Sequence, residues 1–254
     1  MKFFPYVALA VLSAGCGDAK TGSHIGNPVS IGFTVSSALT SADARPQFTD
    51  ASGRLYTIET ARAFVTNVQL AAPAGIACAD IEPTAFSGST CNDAVDGAVV
   101  SVDQGYALDL LAASNLPGVT VPDLKYTRFT YRLSRASAGA PGVVAGDPLL
   151  DHGFVISAGF DNEGLANTIE LRLDFDEDIT IEPSAGLVPG SRFVVDYDAG
   201  QWISGVAIEQ CIEDDVDDDQ VVIDPESECG ELPGEIESEI RSNVRESSEL
   251  RDDD

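Results

Sequence analysis

KYTRFTYRLS, residues 125–134, decides the fold class. Phe129, Tyr131 and Leu133 fall on one side of an extended chain, and Arg128, Thr130 and Arg132 on the other. A strict period of two marks a half-buried β-strand, because successive side chains leave opposite faces of a pleated backbone. The alternation recurs on both sides of this stretch. TIELRLDFD (168–176) sends Ile169, Leu171, Leu173 and Phe175 inward, and RFVVDYD (192–198) does the same with Phe193, Val195 and Tyr197. Residues 29–35, 98–102, 106–111 and 153–160 read likewise. So does YTIETARAFVTNVQL (56–70), in which Phe64, Val68 and Leu70 are expected to share one face. QWISGVAIE (201–209) closes the series, while LDLLAA (108–113) could instead open a short helix. Short strands separated by Gly, Pro, Asn and Asp predict an all-β chain: a single antiparallel β-sandwich over residues 29–210.

Beyond that domain the pattern changes. Residues 209–254 hold nineteen acids against three arginines, the larger share of a net charge of −28 over 254 residues. EDDVDDD (213–219) should stay solvated. Farther on, Ile236, Ile240 and Val244 recur at spacing four, and Glu237 and Arg241 form a favourable i,i+4 pair. Residues 211–254 are therefore expected to be an acidic tail, partly disordered or helical and loosely docked. So acidic a surface argues against nucleic acid, which is held through clustered Lys and Arg. It suits divalent cations or basic partners.

The first residues have three parts. Lys2 supplies a positive end, residues 3–12 (FFPYVALAVL) an uncharged apolar run, and Ser13, Ala14 and Gly15 small residues before Cys16. These are the n-region, h-region and cleavage site of an export signal, and the run is too short to span a bilayer as a helix. Residues 17–28 (GDAKTGSHIGNP) read as a tether. The remaining cysteines form two locally spaced pairs, Cys78/Cys91 and Cys211/Cys229. Three connectivities exist, and the local one closes the shortest loops. Zinc would call for C-x-x-C spacing or nearby histidine, whereas the only histidines are His24 and His152. Two disulfides in an oxidising compartment are the preferred reading.

The Ala14-Gly15-Cys16 ending resembles a bacterial lipobox, with Ser13 in the place where that motif carries Leu. The resemblance implies a mature chain starting at a lipidated Cys16 and partnered with a membrane through that anchor. Gly17, in place of the Asp that retains many lipoproteins at the inner membrane, points to the outer membrane. A second resemblance covers residues 31–181. Asp109-Leu110-Leu111, then Leu116-Pro117 with Tyr126 and Arg128, then Asp174-Phe175-Asp176 are similar to an uncharacterised family of exported bacterial β-sandwich domains, with a longer turn here over 116–126. It implies an extracytoplasmic sandwich and brings no catalytic residues.

For chemistry, the leading candidate is a set of carboxylates. Asp174 and Asp176 share a face, as do Asp196 and Asp198. If their strands pair as a hairpin, the four converge as an oxygen-rich calcium site. The commoner use of such acids is a solvated outer face. The run 213–219 is a weaker cation candidate. A carboxylate pair could also hydrolyse envelope glycan, provided one acid is buried enough to raise its pKa. His152 lies between Asp151 and Gly153, but Ser157 lacks the G-x-S-x-G frame of a nucleophile elbow. Phe193, Tyr197 and Trp202 could stack on sugar, although core packing is the commoner role. Without G-x-G-x-x-G, P-loop or H-E-x-x-H motifs, no cofactor beyond calcium is expected. The expectation is a non-enzymatic envelope protein, binding or structural, with an envelope protein or glycan as partner.

Overall fold

A computed structural model describes residues 25–162, 165–182, 192–214 and 220–253. The chain is mostly β. It opens with β1 (Pro28–Ser36), β2 (Leu39–Thr40), β3 (Pro46–Thr49) and the long β4 (Leu55–Ala71). Next come β5 (Thr90–Ala94), β6 (Gly97–Val102), β7 (Tyr106–Asp109), β8 (Val121–Pro122) and β9 (Arg128–Leu133). β10 (Phe154–Asn162), β11 (Leu165–Leu173), β12 (Glu177–Ile181) and β13 (Arg192–Asp198) follow. The last elements are α1 (Glu209–Asp214), β14 (Gln220–Ile223), α2 (Glu235–Glu246) and β15 (Ser248–Asp253).

The 17-residue β4 is the spine of the larger sheet. Along one edge it pairs with β10 over residues 56–63 and with β9 over 65–71. Along the other it pairs with β3, β7 and β6 in turn. So long a strand would normally twist its apolar face away from the core. Two irregularities reset it. Register against β10 shifts opposite Glu59, and register against β9 shifts between Thr66 and Gln69, where Asn67 adopts φ 49°. Asn tolerates that left-handed backbone better than most residues. Each extra residue changes the parity of the faces. The core positions accordingly run Tyr56 and Ile58, then Ala61, Ala63 and Val65, then Val68 and Leu70. Phe64 therefore does not share a face with Val68 and Leu70. It points outward into a smaller cluster with Ala136, Leu149 and Val155, under the chain of residues 135–152. That covering segment is fastened by Asp147, which is buried and bonded to Arg62 and to the Val144 and Leu149 N–H groups.

The second sheet runs β15-β13-β1-β8. Most pairings in the protein are antiparallel, but β1–β13 and β11–β14 are parallel, so the expectation of antiparallel pairing throughout is corrected. Parallel neighbours need a long crossover, and here the rest of the chain supplies it. The two sheets bury one apolar core between them. Tyr197 of β13 donates to the Tyr131 hydroxyl of β9 across the interface at 2.8 Å. Phe33 meets Tyr131 edge-on, and Phe154 meets both Tyr197 and Trp202. Phe193, Tyr197 and Trp202 are all fully buried, which fits core packing. The alternating positions 129/131/133, 169/171/173/175 and 193/195/197 are buried as read.

Three local expectations change. Residues 201–209 form no strand: a single 3-10 turn at Ala199–Gln201 leads through bends into α1. Residues 110–113 are a turn after β7. The tail is helical at α2 as expected, but it is woven into the fold rather than loosely docked. β14 extends the large sheet beside β11, and β15 pairs with β13 over six residues. Ile236, Ile240 and Val244 join the main core. The acidic run 215–219 lies outside the described residues.

Both disulfides join the local pairs, Cys78–Cys91 and Cys211–Cys229, across 13 and 18 residues. Closing loops of this size removes about 3 kcal/mol of unfolded-chain entropy. Cys211 and Cys229 are also buried, whereas Cys78 and Cys91 are half-exposed. Replacing Cys211 and Cys229 by alanine should therefore lower the urea unfolding midpoint more than the same change at Cys78 and Cys91. Equal or reversed losses would show that the buried sulfurs add nothing beyond loop closure.

Candidate functional site

The four aspartates of the expected calcium site do not come together. Asp174 and Asp176 lie in the link between β11 and β12, while Asp196 and Asp198 belong to β13 in the other sheet. β13 pairs with β1 and β15, and β12 pairs with β9, so the hairpin that would join the two pairs is not formed. The interposed β12 turns the chain to pair elsewhere before it crosses between sheets. Among the described residues no group of three or more His, Cys, Asp or Glu is arranged to hold a metal ion.

Each aspartate has a separate bonding role. Asp198 caps the 3-10 turn, accepting from the Gly200 N–H at 3.0 Å and the Gln201 amide at 2.9 Å. Asp196 is buried on the outer face of its sheet. It accepts from the Ser36 hydroxyl at 2.6 Å and pairs with Arg251, while its Oδ1 has no hydrogen-bond partner among the described residues. Asp176 is exposed and shares the Arg132 guanidinium with Asp178. The two acids hold that guanidinium above the usual arginine range through hydrogen bonds.

Asp174 is the most heavily engaged. Its Oδ1 meets His152 Nδ1 at 2.8 Å, and its Oδ2 meets Arg135 at 2.8 Å. Its backbone is also gripped. The Asp174 N–H donates to Glu237 Oε1 at 3.1 Å, and its carbonyl accepts from Arg241 at 2.7 Å. One turn further along α2, Arg245 reaches Glu177 at 3.1 Å. Glu237, Arg241 and Arg245 are four apart, so they form one stripe along α2. The apolar stripe Ile236, Ile240 and Val244 runs beside it. One stripe enters the core and the other holds the β11–β12 link. The i,i+4 pair expected between Glu237 and Arg241 is thus turned toward a shared target.

This cluster contains the chemistry-bearing groups that sequence reading left apart. His152 is oriented by a carboxylate, as in a general base, yet among the described residues its side chain makes no other hydrogen bond, to a hydroxyl, a thiol or any other group. The geometry is that of a polar clasp holding helix to sheet. The one legible signal was the second spacing-four stripe in α2, 237/241/245. The Asp174–His152 contact has none, since 22 residues separate the partners.

Glu237 is 3 % exposed. Burial pushes its carboxyl above the ordinary glutamate range, and the Asp174 N–H and Arg241 only partly offset this. The folded state therefore binds this proton more tightly than the unfolded chain does, and the group's contribution to stability declines as pH rises through its raised value. Glu237→Gln keeps an acceptor without the charge, so its stability relative to wild type should improve between acid and neutral pH in urea unfolding. A trend of opposite sign would refute the burial argument. Glu237→Ala leaves the Asp174 N–H unpaired and should cost about 1–3 kcal/mol.

No known family's sequence profile matches the chain, and comparison with curated proteins and with solved structures gives no match.

Proposed function

We propose that this chain is an exported bacterial lipoprotein, anchored through lipid on Cys16. Its two sheets form an extracytoplasmic β-sandwich with a non-enzymatic binding or structural role in the cell envelope. The observation that carries this reading is the pairing of the cysteines. Four of the five form local disulfides, which persist in oxidising compartments. Cys16 is then the odd thiol, and it stands directly after an apolar run and small residues, where a lipid acceptor would stand. Gly17 favours the outer membrane.

No helix among the described residues is long and apolar enough to cross a membrane. Under this reading, membrane attachment rests on the acyl chains of Cys16, and stable attachment takes more than one chain. The clasp around Asp174 supports a structural rather than a catalytic use of the His152–Asp174 pair. It joins the β11–β12 link, α2 and the covering segment 135–152 into one unit.

In cells fed labelled palmitate, the wild-type chain should take up label, partition into the detergent phase and sediment with outer membranes. Cys16→Ser should lose all three while both disulfides form normally. Identical partitioning of the two chains would overturn the anchor.

A further inference from the structure

We propose that the end of the domain carrying the β5–β6 turn is a lipid-facing surface, with Val95 and the adjoining Pro73-Ala74-Gly75 loop lying against the bilayer; this rests on the anchor at Cys16.

Two independent runs of contacts place this end beside the start of the described chain. On one side, the Ile25 N–H donates to the Asp80 carbonyl, and Ile25 bridges Ile81. Cys78, in the same 3-10 turn as Asp80, is disulfide-bonded to Cys91 of β5, and its N–H donates to Asp93. On the other side, the Asp123 N–H donates to the Asn27 carbonyl, and the Thr127 N–H to Ala71 at the end of β4. Strand directions agree: β1, β6 and β9 begin here, and β4 ends here.

The composition of this end fits a neutral lipid surface. The β5–β6 tip carries the Asp96-Gly97 pair usual in tight hairpin turns, but Val95 beside them projects fully into solvent. Ala94 beside it is exposed, as are Ala74 and Gly75 of the neighbouring loop. The two loops are held together by the Ala98 N–H on the Ile76 carbonyl and the Ala72 N–H on the Ala98 carbonyl. Between them lies a groove of about 530 Å³ whose lining includes Ala72, Ala74, Val95 and Val99, with Asp96 and Arg128 as its charged residues. The disulfide braces the hairpin from behind, so the tip is presented without an ordering cost.

Reach is sufficient. Eight residues lie between Cys16 and Ile25, and the nine steps from one to the other span at most about 30 Å. A contact of one valine and a few small residues is too weak to hold a free protein on a membrane. Anchored through Cys16, the same contact becomes intramolecular, and the high effective concentration populates it. The acids Asp80, Asp93 and Asp96 outnumber Lys125 and Arg128 at this end, so anionic lipid, whose surface potential repels the excess, is disfavoured.

The test uses the full lipidated chain in phosphatidylcholine vesicles, with an environment-sensitive NBD label on Val95→Cys. The native thiols are occupied by the disulfides and the lipid, so the label goes to residue 95 alone. Flotation reports the anchor separately. In floating protein the label should shift to the blue and be quenched by doxyl-labelled lipid, while the same label on Leu232→Cys, which is 66 % exposed before α2, should not. Adding phosphatidylglycerol should weaken the signal at 95. Floating protein with a water-like label at 95, or equal quenching at 95 and 232, overturns the docked end and leaves the anchor standing. Failure to float overturns both.

Discussion

Everything in this fold depends on keeping both edges of β4 paired along its length. Seventeen residues at about 3.3 Å each give a strand longer than most domains need. One edge is filled by β10 and β9 end to end, and the other by β3, β7 and β6. A regular strand of this length would carry its buried face out of register with the second sheet. The irregularities at Glu59 and at Asn67 divide it into three stretches, each presenting apolar side chains inward. The parity change at Glu59 also puts Phe64 outward, giving the covering segment 135–152 something to pack on.

The local signals in the sequence were strong where one face is buried and the other wet. Residues 129, 131 and 133 could be read at sight, and so could 193, 195 and 197. β4 was legible as a strand but not its change of parity, since a bulge costs one residue and leaves the alternation intact on either side. β14 and β15 were less visible for a different reason. β14 is only four residues long, with Val221 and Ile223 in the core, and the one apolar residue of β15 (SELRDD), Leu250, packs against that core. Charged residues along a strand at a sheet edge are also what guards against unwanted pairing. The carboxylate cluster failed on topology. Period two put Asp174 with Asp176 and Asp196 with Asp198, but nearest neighbours in sequence need not be neighbours in a sheet.

α2 shows how a thin apolar stripe becomes a firm attachment. Three aliphatic residues alone would leave a 12-residue helix marginal. The adjacent stripe of Glu237, Arg241 and Arg245 adds directional bonds to the β11–β12 link, including both backbone groups of Asp174. At its far end, Asn243 donates to the Trp202 carbonyl and Ser247 accepts from the indole N–H. The helix thereby fixes the largest aromatic side chain of the core as well as the polar link.

The acidic balance gives these contacts their wider meaning. Beyond residue 24, Lys125 is the single lysine, and the other cations are all arginines. Arginine carries a rigid fork of donors that can serve two acceptors at once, which lysine does not. Arg132 joins Asp176 and Asp178, Arg62 joins Asp147 to the Gly142 carbonyl, and Arg251 joins Asp196 to Glu249. A chain of net charge −28 thus uses scarce cations where acids from distant segments meet. The surplus acid is left for the surface, where like charges repel one another. Bracing and repulsion come from one allocation of charge: an arginine committed to holding two segments together does not offset the acids that remain at the surface.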